Sequence, residues 1–114
     1  MKLRLTPRLY QNGERIFGPG AAELLERVES HHSLRAAAQS MEMAYSKAWR
    51  VIHNAEAGFG CKLLHSTIGG RHGGGAELTP EARQLLADYR RFTAEVDAYA
   101  QSRFREIFGE IAEN

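Results

Sequence analysis

The chain has 114 residues, 15 basic against 14 acidic for a formal net charge of +1, with 43% apolar and 25% charged residues. This is one folded domain of ordinary composition, which excludes a large multidomain enzyme and a disordered tail. With no apolar run near the ~20 residues a membrane-spanning helix requires, it excludes that as well, and the near-neutral total argues at first sight against a polyanionic partner.

Leu3, Leu5, Leu9 and Ile16 alternate with polar residues around Asn12-Gly13, a pair that favours the positive φ angles of a two-residue turn. The pattern predicts a short hairpin over 3–17, with Pro7 marking its first strand as an edge. Pro19 then opens a helix through His31, with Leu24, Leu25 and Val28 on one face. Ser33 is an N-cap for a second, short helix through Met41. A third helix is expected over 44–57, stopped by Gly58 and Gly60.

Residues 61–68 read as a strand and Ala76–Thr79 as a return strand, joined by Gly69-Gly70-Arg71-His72-Gly73-Gly74-Gly75. Thr79-Pro80-Glu81 supplies a cap, a first-turn proline and an early carboxylate for a long helix over 80–108. Leu85, Tyr89, Phe92, Val96 and Tyr99 recur on it in a 4-3 spacing. The stripe then shifts phase to Ala100, Phe104, Ile107 and Ile111. A seam this long exceeds what a small core needs and predicts packing against the same helix of a second subunit.

The expected architecture is mainly α with small β hairpins: a winged helix-turn-helix with a long C-terminal dimerisation helix. Residues 1–79 form the DNA-binding unit of this scheme and 80–114 the dimerisation helix. The third helix is its physical test. At 100° per residue, Tyr45, Ala48, Trp49, Ile52, Ala55 and Phe59 fall on one arc, which places Trp49 in the core and Tyr45 at its edge. Ser46, Lys47, Arg50, His53 and Asn54 fall on the other. That outward arc has two cations and no carboxylate, an inventory that bonds phosphates and base edges in a major groove. Charge by segment agrees. Residues 33–75 carry five basic and two acidic side chains, a net +3, whereas 76–114 carry five and eight, a net −3. The neutral total therefore hides a basic middle suited to a polyanion.

Ser33-Leu34-Arg35-Ala36-Ala37-Ala38, Met43-Ala44-Tyr45-Ser46-Lys47-Ala48-Trp49 and Ile68-Gly69-Gly70-Arg71-His72-Gly73-Gly74-Gly75-Ala76-Glu77-Leu78-Thr79 resemble the N-terminal DNA-binding domain of the ModE family of molybdate-responsive bacterial regulators. With Phe17-Gly18-Pro19-Gly20 the resemblance covers most of the chain. Glu42 departs from the family pattern, standing where its turn usually has glycine; at positive φ it costs about 1 kcal/mol relative to glycine. The recognition-helix lysine falls one place later, at Lys47. Arg71 replaces the wing lysine and His72 one wing glycine. Family regulators carry oxyanion-binding domains after the long helix, and this chain ends about where those begin. The resemblance thus implies a DNA-binding and dimerisation module without a molybdate sensor.

Other chemistries fit less well. The glycine loop lacks the following helix and Lys-Ser/Thr of a nucleotide-phosphate loop. Cys61 and His65 in a strand would lie about 13 Å apart, so no metal or cofactor is expected. No acid, base or nucleophile constellation points to an enzyme. A lone cysteine and the lack of an apolar leader suit the cytoplasm. The expected partners are double-stranded DNA and a second copy of the chain, with no membrane. The expected DNA contacts are Ser33, Arg35, Tyr45, Ser46, Lys47, Arg50, Arg71 and His72. The alternative is a winged-helix module that binds protein rather than DNA.

Overall fold

The computed structural model describes residues 1–67 and 75–109. A hairpin of β1 (Leu9–Gln11) and β2 (Glu14–Phe17) precedes helices α1 (Pro19–His31), α2 (Leu34–Ser40) and α3 (Tyr45–Phe59). A second antiparallel hairpin, β3 (Leu64–Thr67) with β4 (Gly75–Leu78), leads into α4 (Pro80–Phe108). This is a winged helix-turn-helix with a long C-terminal helix.

The local chemistry explains most boundaries. Asn12 and Gly13 take φ of 52° and 81° and close the first hairpin. Its first strand begins at Leu9 rather than near Leu3, because Pro7 supplies no amide to a ladder. Ser33 caps α2 by accepting the Ala36 N–H at 2.9 Å. Gly60, at φ 71°, ends α3. Gly58, expected to stop it, lies inside the helix. A Cβ there would come within 2.5 Å of Ile16, so the glycine is kept for close packing of α3 on β2.

Leu24, Leu25 and Val28 of α1, Ala37 and Ala38 of α2, and Ala48, Ile52 and Ala55 of α3 form one buried core. Phe17 ties it to both ends of the fold, edge-on to Phe59 of α3 at 5.9 Å and to Tyr89 of α4 at 5.1 Å. Arg27 of α1 donates to Ser40 at the end of α2 and to Glu23 on its own helix, fixing the α1–α2 angle.

The turn between α2 and α3 confirms the expected strain: Glu42 sits at φ 53°. Glu42→Gly should therefore stabilise the fold by about 1 kcal/mol, the relieved left-handed cost net of glycine's entropy. Urea unfolding of both proteins measures this, and an unchanged or lower midpoint contradicts it.

Candidate nucleic-acid interface

The outer surface of α3 follows from what its inner surface must do. Ala48, Ile52, Ala55 and Gly58 are small or compact, so the helix sits close to β2 and to the α1–α2 pair. Ser46, Lys47, Arg50 and Asn54 are left facing solvent. Arg35, exposed on α2, lies with its guanidinium 4.3 Å from the centre of the Tyr45 ring, a cation–π contact that holds both at the α2–α3 corner. Five of the eight expected DNA contacts (Arg35, Tyr45, Ser46, Lys47 and Arg50) thus occupy exposed positions on two adjoining helices. Ser33 is half-buried and spends its hydroxyl oxygen on the α2 cap. Arg71 and His72 lie outside the described residues.

No carboxylate pairs with Arg35, Lys47 or Arg50 among the described residues. The one acidic residue of α3, Glu56, is turned to another task. Its Oε2 accepts the N–H of Leu63 at 2.9 Å, and its Oε1 lies 3.9 Å from the Lys62 ammonium. It anchors the entry to β3, which sets where the second hairpin stands relative to α3. The other end of that hairpin is tied down twice. Thr79 N–H donates to the Leu63 carbonyl at 3.0 Å, and Thr79 Oγ1 donates to the Lys62 carbonyl at 2.7 Å while accepting from Ala82 N–H at 3.1 Å. Ala76 N–H donates to the His32 carbonyl at the end of α1. A Cβ on Gly75 would meet that same oxygen at 2.5 Å, so this strand start must be glycine for the wing to lie against α1.

Trp49 overturns its expected place in the core. It is 46% exposed, and its ring stacks on His53 with centroids 3.5 Å apart and planes 18° off parallel. The helical wheel put it on the apolar arc and so in the core, but the buried side of α3 is narrower than that arc and is filled by Ala48, Ile52 and Ala55. The available signal was the i,i+4 spacing of two flat rings. The task of Glu56 was not legible either, because a carboxylate that receives a distant backbone N–H has no local sequence mark.

On the wing strands, His65 Nε2 and Glu77 Oε1 are 2.5 Å apart across the ladder. Hydrogen bonding and positive charge from His65 hold the Glu77 carboxyl below its usual value of 4.5. A depressed folded value means stabilisation that is present above about pH 4.5 and lost as pH falls through the lowered one. Wild type should therefore outlast Glu77→Gln in urea well above pH 4.5, and the advantage should shrink as the pH is lowered from there. A gap that does not shrink with falling pH assigns it to something other than this carboxylate.

Residues 20–83 match the model of the bacterial regulatory helix-turn-helix protein family of lysR type. The chain is 33% identical over 88 residues to the molybdenum transport protein ModE of Azotobacter vinelandii and 34% identical over 89 residues to that of Herbaspirillum seropedicae. These matches cover 77% and 78% of this chain but 32% and 30% of those proteins, so the chain spans about a third of the length of the curated relatives it matches. The molybdenum-pterin-binding protein MopB of Rhodobacter capsulatus is 31% identical over 88 residues, 77% of this chain and 32% of that one. Among solved structures, the crystal structure of the CbnR DBD–DNA complex superposes with a TM-score of 0.56 at 25% identity. That match covers 77% of this chain and 94% of the other.

Proposed function

Because the chain belongs to the bacterial regulatory helix-turn-helix family of the LysR type, we propose that it is a homodimeric, sequence-specific DNA-binding regulator of the ModE-like kind, acting on double-stranded DNA in the cytoplasm. The observation that carries this reading is the outer face of α3. It presents Ser46, Lys47 and Arg50 to solvent, and its single carboxylate is spent on the Leu63 backbone. Such a face bonds phosphates and base edges without repelling them. Likeness to a domain solved in complex with DNA supports the same partner.

In the proposed complex α3 lies in the major groove, with Ser46, Lys47 and Arg50 at base edges or phosphates. Arg35 and Ser33 reach the backbone beside it, with Tyr45 at the corner. Arg71 and His72 of the glycine-rich segment 69–75 contact phosphate or the adjacent minor groove. Lys47→Ala and Arg50→Ala should each weaken binding to a selected duplex about tenfold or more at unchanged melting temperature, measured by fluorescence anisotropy. Arg71→Ala should lower the salt slope of binding by about one. Wild-type protein that binds random duplex with no salt dependence, or not at all, favours the protein-binding alternative.

Dimerisation is proposed through α4. Phe92, Tyr99 and Ile107 are 52%, 70% and 63% exposed on it, and Phe92, Val96 and Tyr99 border a surface groove with Asp88, Arg91 and Glu95. The pairing of two such helices about a twofold axis would set two α3 helices on one side of the duplex, reading half-sites about 34 Å or a multiple of that apart. Phe92→Glu combined with Tyr99→Glu should convert the dimer to monomer in sedimentation equilibrium while leaving the helical circular dichroism of the domain in place. Survival of the dimer would move the interface elsewhere.

A further inference from the structure

The outward face of α3 carries one feature that its cations do not explain. Tyr45, Trp49 and His53 follow one another at four-residue intervals and form a ridge of flat rings along one edge of the exposed arc. Arg35 lies over the first ring, and the second and third are stacked. His53 is held by the stack, by a 2.9 Å hydrogen bond between its Nδ1 and the Trp49 carbonyl oxygen, and by Glu56, whose Oε1 lies 3.9 Å from its Nε2. A carbonyl only accepts, so Nδ1 holds the proton and the imidazole orientation is set. The indole is therefore held at one position on a helix whose neighbours Ser46 and Arg50 face the same solvent, with about half of its surface uncovered.

An exposed, immobilised apolar plate among hydrogen-bonding groups is suited to one feature of the major groove. The thymine methyl group is the apolar landmark there, and reading it requires an apolar side chain rather than a donor or acceptor. A protein surface could also cover an indole, but the cations Lys47, Arg50 and Arg35 around it lack carboxylate partners among the described residues, which favours a polyanion. We propose that the Trp49–His53 stack is a specificity-determining element: the indole receives a thymine methyl group, and His53 is a positioning residue that holds the plate. This rests on the DNA-binding reading above and adds to it a named base feature.

The test removes the methyl group rather than the protein. Duplexes selected from a random pool are remade with deoxyuridine at each thymine in turn, and binding to the full-length chain is measured by anisotropy. Wild type should lose about fourfold at the contacted thymine, the value of about 0.8 kcal/mol for one methyl-sized apolar contact. Trp49→Ala should bind the thymine and uracil duplexes equally, His53→Ala should lose most of the discrimination, and His53→Phe, which keeps a flat ring, should restore it. Trp49 is the sole tryptophan, so its emission should also shift to the blue on saturation with DNA. Wild-type indifference to uracil at every position, or a discrimination that survives Trp49→Ala, overturns the proposal. Full discrimination in His53→Ala overturns the positioning role. These results are separate from a failure of the DNA-binding reading, in which wild type binds no duplex in a salt-dependent way; an emission that then stays fixed with DNA leaves protein as the occupant.

Discussion

The joint between α3, the second hairpin and α4 fixes the geometry of everything that could meet DNA. Three elements converge there around Leu63, which is wholly buried, and each brings backbone polar groups that lose their water. Buried N–H and C=O groups left unpaired cost about 1–3 kcal/mol apiece. Two side chains settle the account at this joint. Glu56 accepts the Leu63 N–H, and Thr79 bridges the Lys62 carbonyl to the first turn of α4 while its own N–H closes on Leu63. The strand entry and the helix entry are thereby referenced to the same turn of α3. The wing cannot swing without breaking a charge-assisted hydrogen bond, and α4 cannot tilt without uncapping itself.

That joint also explains how a chain with a near-zero net charge presents a basic surface. The carboxylate of α3 is withdrawn from its outer face because it is needed inside. Acidic residues elsewhere are drawn toward arginines of α4: Arg83 reaches Glu29 at 3.1 Å, Arg90 pairs with Glu26, and Arg103 pairs with Glu106 at 2.7 Å. These exposed pairs add little stability individually. Their effect is on distribution, since they gather α1 and α4 charges on one another and leave Arg35, Lys47 and Arg50 for another partner.

Most of the fold was legible because proline, glycine and capping residues punctuate it. Pro19 and Pro80 opened helices at the expected residues, Ser33 and Thr79 capped as expected, and Asn12-Gly13 turned where it should. These are local effects, set by a few dihedral angles and hydrogen bonds within three or four residues. Misplacements occurred where a distant neighbour decides. Gly58 reads as a stop from its own conformational freedom, but Ile16 on another strand demands it inside the helix. Trp49 reads as core from its place on the apolar arc, but the side of α3 that is buried is narrower, and the indole lies 46% exposed beside it. Periodicity tells which side of a helix a residue occupies and nothing about how near the next element comes. The cationic face of α3 was legible because charge patterning needs no such distance. The stacked ring upon it was not, and Arg71 and His72 lie outside the described residues.

The same limit governs α4, whose 4-3 stripe looks uniform in the sequence. Its residues divide. Tyr89 turns into the core against Phe17 and donates from its hydroxyl to the Pro7 carbonyl at 2.7 Å, and Gln101 donates to the Leu3 carbonyl at 3.0 Å. The N-terminal segment is thus strapped along one side of the helix over more than three turns, a span of about 18 Å. Tyr89 and Gln101 keep that side occupied by the chain itself, so Phe92 and Tyr99 project from what is left. For a helix 29 residues long in a molecule 58 Å by 29 Å by 23 Å, that uncovered side is a place where a second long helix could pack without displacing the domain's own chain. The strap therefore selects the face through which the proposed dimer would form, and with it the direction in which the two α3 helices would be offered to a duplex.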